Sequence, residues 1–113
     1  MAEQFYTIQA DIGTTSDDGV SNAIHTNSTS NRQIIILCQV ANVHGTNNGV
    51  LNMDVLDHSA STAKALVSTL IVPADTAVNP IGGKLVLEPN DAIRAWADAA
   101  SVLEVNISYL EIS

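Results

Sequence analysis

Residues 84–112 leave this chain little freedom in its choice of secondary structure. The run Lys84-Leu-Val-Leu-Glu-Pro-Asn-Asp91 is followed by Ala92-Ile-Arg-Ala-Trp-Ala97 and then by Val102-Leu-Glu-Val-Asn-Ile-Ser-Tyr-Leu-Glu-Ile112. Apolar and polar residues alternate with the two-residue period of a half-buried strand, and polar clusters (Glu88 to Asp91, Asp98 to Ser101) interrupt the runs as turns do. The pattern predicts three successive antiparallel strands forming a meander. In the last strand Leu103, Val105, Ile107 and Tyr109 share one face. Glu104, Asn106 and Ser108 share the other, with Leu110 continuing that side. In the strand before it, Ile93, Ala95 and Ala97 oppose Arg94, Trp96 and Asp98. Trp96 therefore sits among charged neighbours, where a large aromatic is either covered by a loop or used in a contact with another chain.

The rest of the chain continues the β pattern. Phe5 to Ala10 reads as a first strand and Val20 to Thr26 as a second, weaker one, with turn formers at Asp11 to Gly19 and Asn27 to Asn31. Arg32 to Val43 is apolar on both faces and is expected in the middle of a sheet. Asn48-Gly49 is a hairpin turn signal, after which Val50 to Asp57 returns as a strand with Leu51, Met53 and Val55 facing the core. The Ala, Lys and Leu content of Ala63 to Val72 would also suit a short helix. Its β-branched Val67, Thr69, Ile71 and Val72, and the stop at Pro73, favour a strand. Pro73 to Gly83 is expected to be a long loop. The reading is all-β: a single domain over residues 1–113, built as a jelly-roll-like antiparallel β-sandwich of about eight short strands. Only Phe5, Tyr6, Trp96 and Tyr109 are aromatic although 46% of the chain is hydrophobic. Small and β-branched residues must therefore fill the space between sheets, as suits two thin sheets packed face to face.

The formal net charge of −8, with Arg32, Lys64, Lys84 and Arg94 as the only Lys and Arg residues, argues against nucleic-acid binding, which needs cations to replace phosphate counterions. It argues equally against an anionic membrane surface. An acidic surface serves solubility or a basic partner. Cys38 is the only cysteine of the 113 residues. It lies in the apolar run Ile34 to Val40 and reads as a buried, inert thiol. The first residues show neither a basic nor an apolar leader segment, and no apolar stretch reaches the length of a membrane helix. The expectation is a protein made in a cytoplasm that stays soluble.

No arrangement of residues advertises catalysis. Asp57-His58-Ser59 sets three triad residue types in a row, but adjacent residues point in different directions and cannot form the relay, so a turn is expected. His25, His44 and His58 lie in or beside expected loops without metal-binding spacing and read as solvated turn histidines. Asp17-Asp18-Gly19 lacks the alternating oxygen ligands of a calcium loop. Gly82-Gly83 before Lys84 lacks the spacing of a phosphate loop. Asn27-Ser-Thr29 and Asn106-Ile-Ser108 are chance sequons, and Glu88 and Asp91 merely flank a turn. A non-enzymatic protein with no catalytic residues, cofactor or metal is expected.

Three segments carry a family resemblance: Ile71-Val-Pro-Ala74, Gly83-Lys-Leu-Val-Leu-Glu-Pro-Asn-Asp-Ala-Ile-Arg94 and Val105-Asn-Ile-Ser-Tyr-Leu-Glu-Ile112. They resemble the small tailed-bacteriophage virion proteins of the capsid decoration, or cement, type. Ser21 to Thr26 and Asn31 to Val43 resemble the same proteins more loosely, so the likeness spans about two thirds of the chain. Where the family more often has Gly, this chain has Asn90, which also tolerates a left-handed turn. The resemblance implies a homotrimer on the outside of an expanded shell, bridging major capsid subunits, with no activity and no cofactor. The alternative is a tail, baseplate or fibre-associated module that binds a host receptor or another virion protein. The candidate contact residues are Arg94 and Trp96, on the polar face of the penultimate strand, and an N-terminal arm with Glu3, Phe5 and Tyr6, since termini are free to reach a neighbour.

Overall fold

A computed structural model describes residues 3–14, 23–81, 84–99 and 102–112. The described residues form nine strands and no helix. They are β1 (Glu3–Asp11), β2 (Ala23–Thr26), β3 (Arg32–Asn42), β4 (Gly49–Asp57), β5 (Thr62–Val72), β6 (Ala77–Val78), β7 (Leu85–Leu87), β8 (Ala92–Ala97) and β9 (Leu103–Ile112). The strands make two antiparallel sheets. One has the order β1-β9-β3-β6, with β7 also paired to β3; the other has the order β2-β8-β4-β5. This is the jelly-roll order, and the expected all-β sandwich is what the chain forms. Residues 62–72, ambiguous in sequence, are strand.

Three sequence expectations are corrected. Residues 84–112 hold strands but not a meander: β7 and β9 lie in one sheet and β8 lies in the other. Alternation gives each strand one apolar face, yet two successive strands can bury such faces either side by side or opposite each other. Here they are opposite, and Ile93, Ala95 and Ala97 of β8 pack in one cluster with Leu103, Val105 and Ile107 of β9. The Asn48-Gly49 signal likewise does not close a hairpin, because β3 and β4 belong to different sheets. No described glycine has a positive φ. Gly49 is needed for space instead: a Cβ there would lie 2.9 Å from Leu103 Cδ2 and 3.1 Å from Val102 Cγ1, closer than carbon atoms pack. The loop after Pro73 contains the short strand β6, paired to β3 at Val40 and Ala41. Val20 to Asn22, Asp17 to Gly19 and Gly82-Gly83 lie outside the described residues.

The core is a layer of aliphatic side chains from both sheets. Ile35, Val40, Leu51, Met53, Ile93, Leu103 and Ile107 are fully buried, as is Ile12 where the chain leaves β1. Ile12 N–H donates to Leu103 O (3.0 Å), and Ala97 N–H donates to Gly13 O (2.8 Å). The two residues after β1 thus stitch one sheet to the other. Each buried aliphatic side chain contributes about 1.5–3 kcal/mol.

The turns are held by buried amides and a carboxylate rather than by glycine. Asn27 donates to Asn31 O and Leu87 O and accepts from Thr29 N–H and Oγ1–H. Asn42 donates to Asn47 O and Val72 O and accepts from His44 N–H. Asp91 accepts from His58 N–H and Glu88 N–H at 3.0 Å each, tying the β4–β5 turn to the β7–β8 turn. Asn90 takes the left-handed conformation expected of it, with φ 72°. These side chains satisfy all or most of their polar groups, as burial demands.

Candidate functional site

The expected first strand over Phe5 to Ala10 is present as β1, and the residues read as a free N-terminal arm, Glu3 to Tyr6, are the first part of it: an edge strand paired to β9 through all nine residues from Glu3↔Ile112 to Asp11↔Glu104. The arm expectation fails because Phe5, Thr7 and Gln9 and their neighbours alternate well enough to extend the sheet. The strand is poorly covered: Glu3 to Thr7 are all exposed, Phe5 at 71%.

Registers show what surrounds Phe5. Phe5 pairs with Leu110, Leu110 with Ile34, and Ile34 with Val86. Directly paired residues share a face, so these four form a row across β1, β9, β3 and β7. Their sequence neighbours Tyr109 and Ile35 face the core, so the row lies on the outside of the sheet. A register shift between Ile35 and Leu37 turns both Ile36 and Leu37 outward beside the row, 42% and 44% exposed, and Val86 is 46% exposed. This is why Arg32–Asn42 looked apolar on both faces: the outer apolar face is real and is left uncovered by the described residues. Scattered exposed apolar residues are ordinary; here the exposed Phe5, Ile36, Leu37 and Val86 and the half-buried Ile34 and Leu110 form a belt over four strands.

Rows that carry charged or polar residues flank the belt. On one side Glu3, Ile112 and Arg32 pair in line, and Arg32 Nε bonds Glu88 Oε1 at 2.9 Å. On the other, Thr7 and Ser108 give way to Gln9, Asn106 and Gln39, then to Asp11 and Glu104. A shallow polar depression of about 340 Å³ is lined there by Gln9, Asp11, Glu104 and Asn106. It presents two carboxylates and two amides.

Beneath Phe5, on the inner side of the same strands, Tyr6 stacks on Tyr109 with ring centroids 5.2 Å apart, and His25 of β2 lies 4.6 Å from Tyr109. Gln33 Nε2–H donates to Glu111 Oε1 at 2.9 Å, which leaves Gln33 Oε1 to accept from His25 Nε2–H at 2.6 Å. Burial, then the Glu111 and Tyr6 charges, push the Tyr109 hydroxyl above the ordinary tyrosine range, so it stays neutral. His25 is thus a half-buried partner in this aromatic end of the sandwich rather than a solvated turn histidine.

Arg94 is also corrected. It was expected on a solvent-facing side of its strand, but it is 3% exposed. Its Nε and Nη2 donate to Asp54 Oδ1 and Oδ2 at 2.8 and 2.7 Å across the β4–β8 pair. That bidentate geometry is the strongest form of such a pair. It makes Arg94 a structural residue of the sheet, with its guanidinium engaged inside the chain. Trp96 is half-buried, opposite Asn52 of β4. Among the five expected contact residues, the fold brings Glu3, Phe5 and Tyr6 together at one edge and places Arg94 and Trp96 in the other sheet. Sequence reasoning missed Ile34, Leu37, Val86 and Leu110. Their only signal was the apolar doubling of the Ile34–Val40 run and the Leu110 that broke the polar side of the last strand.

At the expected turns, Ser59 Oγ–H donates to Asp57 Oδ1 (2.9 Å), within a turn closed by Ser61 N–H to His58 O. His44 Nδ1 accepts from Thr46 and Asn47 N–H. Cys38 is buried, and burial pushes its thiol up to about 11. No group of three or more His, Cys, Asp or Glu able to hold a metal occurs among the described residues.

No protein-family model matches the chain, and no curated protein matches it in sequence. Among solved structures it is similar to a chain of the Bacillus endospore appendages, described as a novel family of disulfide-linked pili. The TM-score is 0.55 at 12% identity, over 97% of this chain and 86% of that one. At that identity the likeness speaks for a shared fold alone.

Proposed function

We propose that the chain is a structural subunit of a noncovalent protein assembly, with the outer face and edge of β1-β9-β3-β7 as its contact surface. The observation that carries this reading is the row Phe5–Leu110–Ile34–Val86 with Ile36 and Leu37, in which Phe5, Ile36, Leu37 and Val86 are exposed and Leu110 and Ile34 half-buried. In water such a belt favours burial by about 25 cal/mol for each Å² covered. The resemblance of residues 71–112 to phage decoration proteins supports a virion as that assembly. In this reading the protein is not an enzyme. It sits on the outside of an expanded phage shell as a homotrimer and bridges major capsid subunits, so that several weak contacts sum through multivalency.

The likeness to the appendage chain supports a second reading, a subunit of a pilus-like or tail-associated fibre. Cys38 bears on it: a thiol 1% exposed with its pKa pushed up to about 11 is unsuited to the covalent linkage named for those pili. A fibre of this chain would be held by surface burial instead.

Co-sedimentation with expanded, undecorated phage shells separates the readings. Saturable binding at a fixed ratio to the major capsid protein, weaker on unexpanded shells, is the decoration outcome. Recovery in tail fractions at low copy number, or polymerisation of the purified protein alone, would replace it with the second reading.

A further inference from the structure

β1 and β5 are both long edge strands, and they are built differently. β5 has two register shifts against β4, a left-handed Thr69 (φ 56°) and Lys64. Irregularity and lysine are the devices by which sheet edges refuse another strand. β1 runs nine residues against β9 without a register shift and contains no lysine, proline or left-handed residue.

The ladder also tells which backbone groups of β1 are unused. Ile12 N–H donates to Leu103 O, one step beyond the Asp11↔Glu104 pair. Antiparallel pairs alternate between bonded and non-bonded, so Ala10, Ile8, Tyr6 and Gln4 are the residues bonded to β9. The N–H and C=O groups of Phe5, Thr7 and Gln9 point the other way, where no described strand lies. Carboxylates stand at both ends of this open row, Glu3 and Asp11, and Glu104 stands beside Asp11.

We propose that the β1 edge accepts an extended segment of a partner protein as an added strand, and that this segment carries basic residues at both ends. The proposal rests on the assembly reading above and gives its contact surface a recognition mode. A second copy of β1 is the wrong occupant: full antiparallel overlap would set Glu3 against Asp11 twice, and like charges directly opposite destabilise a pair. The net charge of −8 opposes self-pairing further.

The test uses a fluorescein-labelled nine-residue peptide of alternating threonine and valine with lysine at each end, and its counterpart with glutamate at each end. Binding is read by anisotropy. The expected result is saturable binding of the lysine-ended peptide, at least about tenfold tighter than the glutamate-ended one, lost in Thr7→Pro and kept in Thr7→Val. Thr7→Pro removes an N–H on the open side only, so the β1–β9 ladder survives it. Should that variant fail to fold, protection of the Phe5, Thr7 and Gln9 amides in the wild type on adding the peptide decides the matter. Equal binding by Thr7→Pro, no binding, or a wild-type dimer that Thr7→Pro dissolves would overturn the proposal. Shell binding unaffected by Thr7→Pro would also overturn it while leaving the decoration reading intact. Peptide binding with no shell binding would sustain it and remove that reading.

Discussion

Removing the Asp54 carboxylate would take two charge-assisted hydrogen bonds from a guanidinium that is 3% exposed. We expect Asp54→Ala to cost about 3–5 kcal/mol in denaturant unfolding, and the paired replacement Asp54→Leu with Arg94→Met to recover most of that loss. A cost below about 1 kcal/mol would mean that the pair is solvent-relaxed. Cys38 gives a pH signature. Its folded pKa of about 11 lies above the ordinary thiol value of 9.0, so the unfolded chain loses this proton first as pH rises. Its contribution is complete below pH 9 and disappears between about 9 and 11, a loss on the order of 2 kcal/mol. Urea melts at pH 8 and pH 11 should show that loss in the wild type and a smaller one in Cys38→Ala. The thiol's burial was legible in sequence from the apolar run around it. The ion pair was not, because Asp54 and Arg94 are forty positions apart and each looked like one more polar residue on an outer strand face.

At the scale of elements, nearly every strand was legible, and the sheet to which each belongs was not. Period-two alternation reports one apolar face per strand; β7, β8 and β9 satisfy it equally as a meander or as strands exchanged between two sheets. What decides is carried by buried hydrogen bonds, such as Asp91 joining two turns and the Ile12–Gly13 stitch between sheets, which no local pattern announces. Turn chemistry misled in one place, since Asn48-Gly49 has the composition of a hairpin and serves as a crossover. The alternation of β1 has its own consequence. Amide exchange followed by NMR should show Gln4, Tyr6, Ile8 and Ala10 protected and Phe5, Thr7 and Gln9 fast in the free protein. Uniform protection along β1 would mean that its outer edge is already paired.

In the assembly proposed for the whole molecule, one sheet is the working face and the other the support. The sheet β2-β8-β4-β5 holds the Arg94–Asp54 pair and a bulged edge. The sheet β1-β9-β3-β6, with β7, turns an apolar belt and a regular open edge outward. Of the contact residues chosen from the sequence, Arg94 and Trp96 lie in the first of these sheets and Glu3, Phe5 and Tyr6 in the second, where they belong to a paired strand and not to a free arm. The most direct measurement compares shell binding of the wild type with that of Phe5→Ser combined with Val86→Ser. Phe5 is 71% and Val86 46% exposed, so melting temperature should fall only modestly. Affinity for expanded shells is expected to fall by about tenfold or more, equivalent to about 1.4 kcal/mol. Equal binding by the double variant would contradict the assignment of this face as the assembly surface.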